Sequence, residues 1–176
     1  MREIILLNIT GQDKPGLTSS LTNILAQYDV TILDIGQAVI HDYLSLGILV
    51  EIPIEHSSSS ILKDLLFEAH KLGIQIRFSA IDAERYDGWA SQSGEQRRII
   101  TLLGRKLTAV QLAKVATAVA NNHLNIDVIT HLSGRVALDD PASLPKACVQ
   151  FTVTGSMDDP GQLRRSEEHT SELQSR

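Results

Sequence analysis

The order of short apolar runs in this sequence occurs twice, and that repeat limits the fold more than any other feature. EIILLNIT at 3–10 is β-rich, and GQDKPG after it is a turn signal. LTSSLTNILAQYD then spaces Leu17, Leu21, Ile24, Leu25 and Tyr28 along one helical face. VTILDIGQAVI and LSLGILVEIPI read as strands joined around His41-Asp42-Tyr43. SSSSILKDLLFEAHKLG is a second helix, capped by Ser60 or a neighbour and ended by Gly73. Its apolar face is Ile61, Leu65, Leu66, Ala69 and Leu72. IQIRFSAI closes the series as a strand with Ile74, Ile76 and Phe78 alternating.

The pattern restarts with RIITLLG, continues through LTAVQLAKVATAVANNH, and reaches LNIDVITHLSG at an offset of 94 residues, Thr31 matching Asn125. ACVQFTVTGS supplies a third strand, and DDPGQLR starts a helix. The expected class is α+β: two tandem ferredoxin-like βαββαβ domains, the second incomplete. The expected boundaries are 1–82 for the first domain, 83–97 for a polar linker, and 98–164 for the truncated second domain. Trp89, the single tryptophan, is expected to pack over the seam between them. The tail RSEEHTSELQSR, 165–176, has one apolar residue, Leu173, and no helical or strand period. It reads as the translation of a sequencing adapter and is set aside as artefactual. On that expectation the second domain lacks its fourth strand, which leaves an unpaired sheet edge prone to association.

The totals narrow the function. A net charge of −5 argues against a basic nucleic-acid surface. One cysteine, Cys148, permits no internal disulfide, in keeping with a cytoplasmic location. MREIILLNITGQD is too short in its apolar part for a signal peptide, and no segment reaches the roughly 18 apolar residues of a membrane span. Neither a nucleic-acid nor a membrane partner is expected.

TGQDKPGL, 10–17, carries the chemistry. Pro15 suits a first helical turn, and Gly16 lets a ligand approach the backbone. Free N–H groups at a helix start attract a carboxylate, and Asp13 can accept a hydrogen bond from an ammonium. Together they suit an amino acid, with Thr31 expected close to the same loop. The competing reading is an ordinary β-to-α turn with Asp13 capping the helix.

The βαββαβ order with D-K-P-G-L after the first strand resembles an ACT domain. Two in tandem, joined by a linker carrying a tryptophan, resemble the N-terminal regulatory region of bacterial phosphoserine phosphatases, over residues 1 to about 164. The resemblance implies an amino-acid ligand, L-serine being expected, bound near the first loop at an interface between domains, and homodimers formed through ACT domains. The implied ligand residues are Asp13, Pro15, Gly16 and Thr31. Asn125 matches Thr31 in the second copy, whose loop GRKLTAV lacks the Pro-Gly pair. In that family a separate haloacid-dehalogenase-type domain hydrolyses O-phosphoserine in serine biosynthesis, through a D-x-D-x-T/S motif and Mg²⁺. The motif is absent from this sequence, so no catalytic residue and no cofactor are expected in this chain. The alternative is a stand-alone tandem ACT regulator resembling the glycine-cleavage transcriptional repressor.

Other residues carry little. Asp139-Asp140 and Asp158-Asp159 are sequence neighbours and do not converge on a metal as D-x-D does. His41, His56, His70, His123 and His131 lack ligand spacing, although His131 aligns with Gln37 and is expected on the same surface. Cys148 lies on the polar face of its strand with no base at usable spacing.

Overall fold

In the computed structural model, which describes residues 3–55, 57–91, 97–104, 107–133 and 147–155, the chain divides into units 1–92 and 93–176. The first holds β1 (Glu3–Gln12), α1 (Leu17–Gln27), β2 (Thr31–Ile40), β3 (Tyr43–Ile52), α2 (Ser58–Leu72) and β4 (Gln75–Ile81). Its sheet order is β2-β3-β1-β4, with every neighbouring pair antiparallel. This is the split-βαβ topology that the run order predicts. Strand β1 continues through Gly11 and Gln12, past the apolar run. A Cβ on Gly11 would sit 2.8 Å from Cγ2 of Ile74, so only glycine lets β1 run that far beside the start of β4.

The core forms where one sheet face meets the helices. Ile5, Leu7 and Ile9 of β1 and Leu44, Leu46, Ile48 and Val50 of β3 pack against Leu17, Leu21 and Leu25 of α1 and Ile61, Leu65 and Ala69 of α2. Such fully buried aliphatic side chains are each worth about 1.5–3 kcal/mol relative to exposure. Leu66, read from sequence as part of the α2 core face, is half-exposed instead. Ser57, not Ser60, holds the N-cap position of α2, and no side chain caps it; Gly73 ends the helix in the left-handed region, φ 71°. Residues 83–91 of the stretch read as a linker form α3 (Ala83–Ser91). There Trp89 tilts against Tyr86, ring centroids 5.9 Å apart, and is half-exposed.

The second unit holds β5 (Arg98–Gly104), α4 (Ala109–Asn121), β6 (Asn125–His131) and β7 (Ala147–Thr154), with sheet order β5-β7-β6. That is the first sheet's order without a counterpart of β4 among the described residues. Ile100, Val149, Phe151 and Val153 form its core with Val119 and Leu124.

The repeat holds to the residue. Asp29 and His123, 94 apart, both take left-handed backbone after their helices, φ 51° and 56°. The β2–β3 ladder skips a residue between Ile32 and Asp34, and the β6–β7 ladder does so between Ile126 and Val128. Each skip is a bulge, and it reverses which side chains face the helices. The acidic pairs at 139–140 and 158–159, His56 and the tail 165–176 lie outside the described residues.

Candidate functional site

The β1–α1 connection is shaped by Pro15 and Gly16. Gly16 occupies the N-cap position of α1 with φ 92° and ψ −8°, a left-handed conformation that costs an L-residue about 1–2 kcal/mol. No side chain caps the helix, Asp13 included, so the ordinary capped turn is not what forms. The first-turn N–H groups of α1 therefore keep the partial positive charge of an uncapped helix start. The loop is held from both sides. The backbone N–H of Asp13 donates to the carbonyl of Asp42 at 2.7 Å, and Lys14 Nζ donates to the carbonyl of Leu72 at 3.4 Å.

Residues 13–19 and Gln37 line an open cleft of about 350 Å³. Gln37 comes from β2. It pairs with Leu46, and its neighbour on the same face, Val39, packs on the core, so its side chain lies on the helix-covered face. The Thr18 hydroxyl donates to Gln37 Oε1 at 2.8 Å, which ties strand to helix across the cleft. Beside the loop, His41 has left-handed backbone, φ 59°, and its Nδ1 lies 2.5 Å from Asp42 Oδ1. That hydrogen bond, aided by the imidazole's charge, holds the Asp42 carboxyl below its usual range.

Of the residues expected at the site, Asp13, Pro15 and Gly16 are brought together, and Thr31 is not. Thr31 pairs with Glu51, which pairs with Ile4 at the opposite end of β1 from the loop. The eight residue-to-residue steps from Ile4 to Gln12 separate the two ends by about 26 Å. The reason is topological: α1 carries the chain back before β2 begins, so β2 starts where β1 starts. Asn125 lies at the corresponding end of β6, where its Nδ2 donates to Asp127 Oδ1 at 3.0 Å and Thr154 Oγ1 donates to the same oxygen at 3.0 Å.

The second copy handles its helix start differently. Ala109 and Val110 stand where Pro15 and Gly16 do, and α4 begins at Ala109. Thr108 caps it: its Oγ1 accepts from the Gln111 N–H at 3.3 Å, while its own N–H donates to Gln111 Oε1 at 2.9 Å. His131, the counterpart of Gln37, pairs with Val149 on the core face and has its Nε2 2.8 Å from Ser133 Oγ. Among the described residues no group of three or more His, Cys, Asp or Glu could hold a metal ion. No helix among them is long and apolar enough to cross a membrane.

Fold and cleft together define a tandem of ferredoxin-like modules with one uncapped, Gly-opened helix start. Residues 3–79 match the ACT domain family model, so the first unit of the chain carries an ACT domain. It is 34% identical over 148 residues to phosphoserine phosphatase SerB2 of Mycobacterium tuberculosis, a match covering 82% of this chain and 35% of that protein. It therefore spans about a third of that relative's length. A UPF0237 protein of Methanococcus maripaludis is 34% identical over 74 residues, 42% of this chain and 79% of that protein. Among solved structures, a protein described as a putative glycine cleavage system transcriptional repressor superposes with a TM-score of 0.61 at 10% identity, over 98% of this chain and 91% of that one. The likeness to an ACT region of phosphoserine phosphatases, drawn from D-K-P-G-L and the repeat, is thereby shown.

Proposed function

We propose that this chain is the amino-acid-binding regulatory region of a cytoplasmic phosphoserine phosphatase, and that catalysis by the parent enzyme belongs to a separate Mg²⁺-dependent domain. The observation that carries the reading is the cleft at 13–19, where a carboxyl side chain and an uncapped helix start adjoin. The α-carboxylate of a small amino acid, L-serine being the expected one, sits on the first-turn N–H groups of α1. Its ammonium is met by the Asp13 carboxylate. Gly16 keeps a Cβ out of the way. Binding of this kind biases an equilibrium only through differential affinity for two states, so regulation follows from assembly through ACT domains, homodimers being the expected form.

The test is equilibrium binding of L-serine to the chain and to Asp13→Asn. The reading expects saturable binding that weakens in the variant, because the ammonium loses its charged partner. Undiminished binding in Asp13→Asn refutes the assignment of the site.

A second reading is favoured by the whole-chain superposition on the repressor fold: a stand-alone regulator with no catalytic domain. The gene decides between them. A reading frame continuing past Arg165 into D-x-D-x-T/S supports the phosphatase, and a stop soon after a fourth strand supports the regulator.

A further inference from the structure

We infer that Gln37, held in place by Thr18, determines which amino acids the cleft prefers, and that it selects ligands whose side chain carries a hydrogen-bond-accepting oxygen. The inference rests on the reading of the cleft as an amino-acid site.

Residues 13–19 form one wall of the cleft, and Gln37 is the one lining residue drawn from outside that segment. The loop wall supplies what every α-amino acid needs: a carboxylate partner at the helix start and an ammonium partner at Asp13. Neither group distinguishes one side chain from another. That task falls to Gln37.

Its amide is also oriented. Thr18 donates to Oε1 at 2.8 Å, and the Thr18 carbonyl accepts from Thr22 Oγ1 at 2.8 Å one turn along α1. With Oε1 engaged, Nε2 keeps two N–H donors. Among the described residues no group accepts from them. The strand phase that aims Gln37 at the cleft comes from the bulge at Leu33, which puts Ile32, Ile35, Gln37 and Val39 on one face opposite Val50, Ile48, Leu46 and Leu44. Gln37 is the single polar residue in that row. A ligand whose side-chain oxygen reaches Nε2 gains a hydrogen bond, and a methyl in its place gains nothing.

L-Serine and L-alanine differ by that oxygen alone, so they are the probes. The readout is the ratio of their dissociation constants on the full chain, by calorimetry. One neutral hydrogen bond at an open site predicts that serine binds roughly two- to tenfold more tightly than alanine. Gln37→Leu brings the ratio to about one. Gln37→Met keeps the length and removes the donors without offering a strong acceptor to the serine hydroxyl, and does the same. Thr18→Val leaves Gln37 in place but frees its amide, and lowers the ratio partway, marking Thr18 as a positioning residue. A preference for serine that persists in Gln37→Leu and Gln37→Met overturns the inference, as does alanine binding as tightly as serine in the unaltered chain. If neither amino acid binds the unaltered chain, the reading of the cleft itself falls. If both bind equally, only the role of Gln37 falls.

Discussion

Replacing Gly16 by alanine tests the local physics of the cleft. At φ 92° and ψ −8° the residue sits in left-handed space. A Cβ built there has Ser19 Oγ as its nearest neighbour at 3.9 Å, an ordinary contact. Crowding therefore contributes nothing, and the whole cost is conformational, about 1–2 kcal/mol. If the backbone stays put, urea unfolding followed by the fluorescence of Trp89, which lies in the first unit, shows a loss of that size. The chain has one way to avoid the cost. It can begin α1 earlier, as α4 does at Ala109, which converts the loop to helix and closes the cleft. Stability is then retained and amino-acid binding is lost. Gly88→Ala is the control: Gly88 lies within α3 with nothing near its missing Cβ, and the exchange there stabilises by roughly 0.5–1 kcal/mol. A Gly16→Ala chain with unchanged stability and unchanged binding refutes the reasoning, because it would mean that the left-handed turn does nothing.

Other expectations follow from the same geometry. Ile48→Ala removes a side chain with 0% exposure at the centre of the first core and should cost about 2–5 kcal/mol by chemical denaturation. Thr108→Ala breaks the capping box of α4 and should cost about 0.5–2 kcal/mol, read as faster amide exchange at Gln111 and its neighbours. Tyr28 donates to Asp64 at 2.6 Å, and this hydrogen bond, then burial, then the carboxylate's charge raise its pKa. Because the folded value is raised, the stabilisation is fully present below the usual tyrosine range near 10 and is lost as pH rises through the folded value. Absorbance titration of tyrosinate should show one group titrating above the rest, and Asp64→Asn should bring it down.

Much of this was legible in the sequence, and the parts that were not have identifiable causes. Run order and a 94-residue offset were enough for the topology, because apolar spacing follows the period of each element. Asp13, Pro15 and Gly16 were legible because loop composition dictates loop geometry. Gln37 was missed as a cleft residue, since a bulge at Leu33 reverses the alternation that assigns strand faces. The available signal was a lone polar residue among Ile32, Ile35 and Val39, repeated as His131 beside Ile126 and Ile129. Thr31 was placed beside the loop because it opens β2, without tracing the direction of α1, which carries the chain back to the end where β1 starts. The helix at Ala83–Ser91 was hidden because none of its residues is buried, so no apolar face marks it.

The most direct test of the central claim is a calorimetric titration of the chain with L-serine, read for stoichiometry as well as affinity. Only the first copy opens its helix start, and the second closes its own with Thr108 and Gln111. The account predicts saturable binding at one site per chain, abolished or weakened by Asp13→Asn. Absence of binding by any small amino acid, or two equivalent sites per chain, would contradict it.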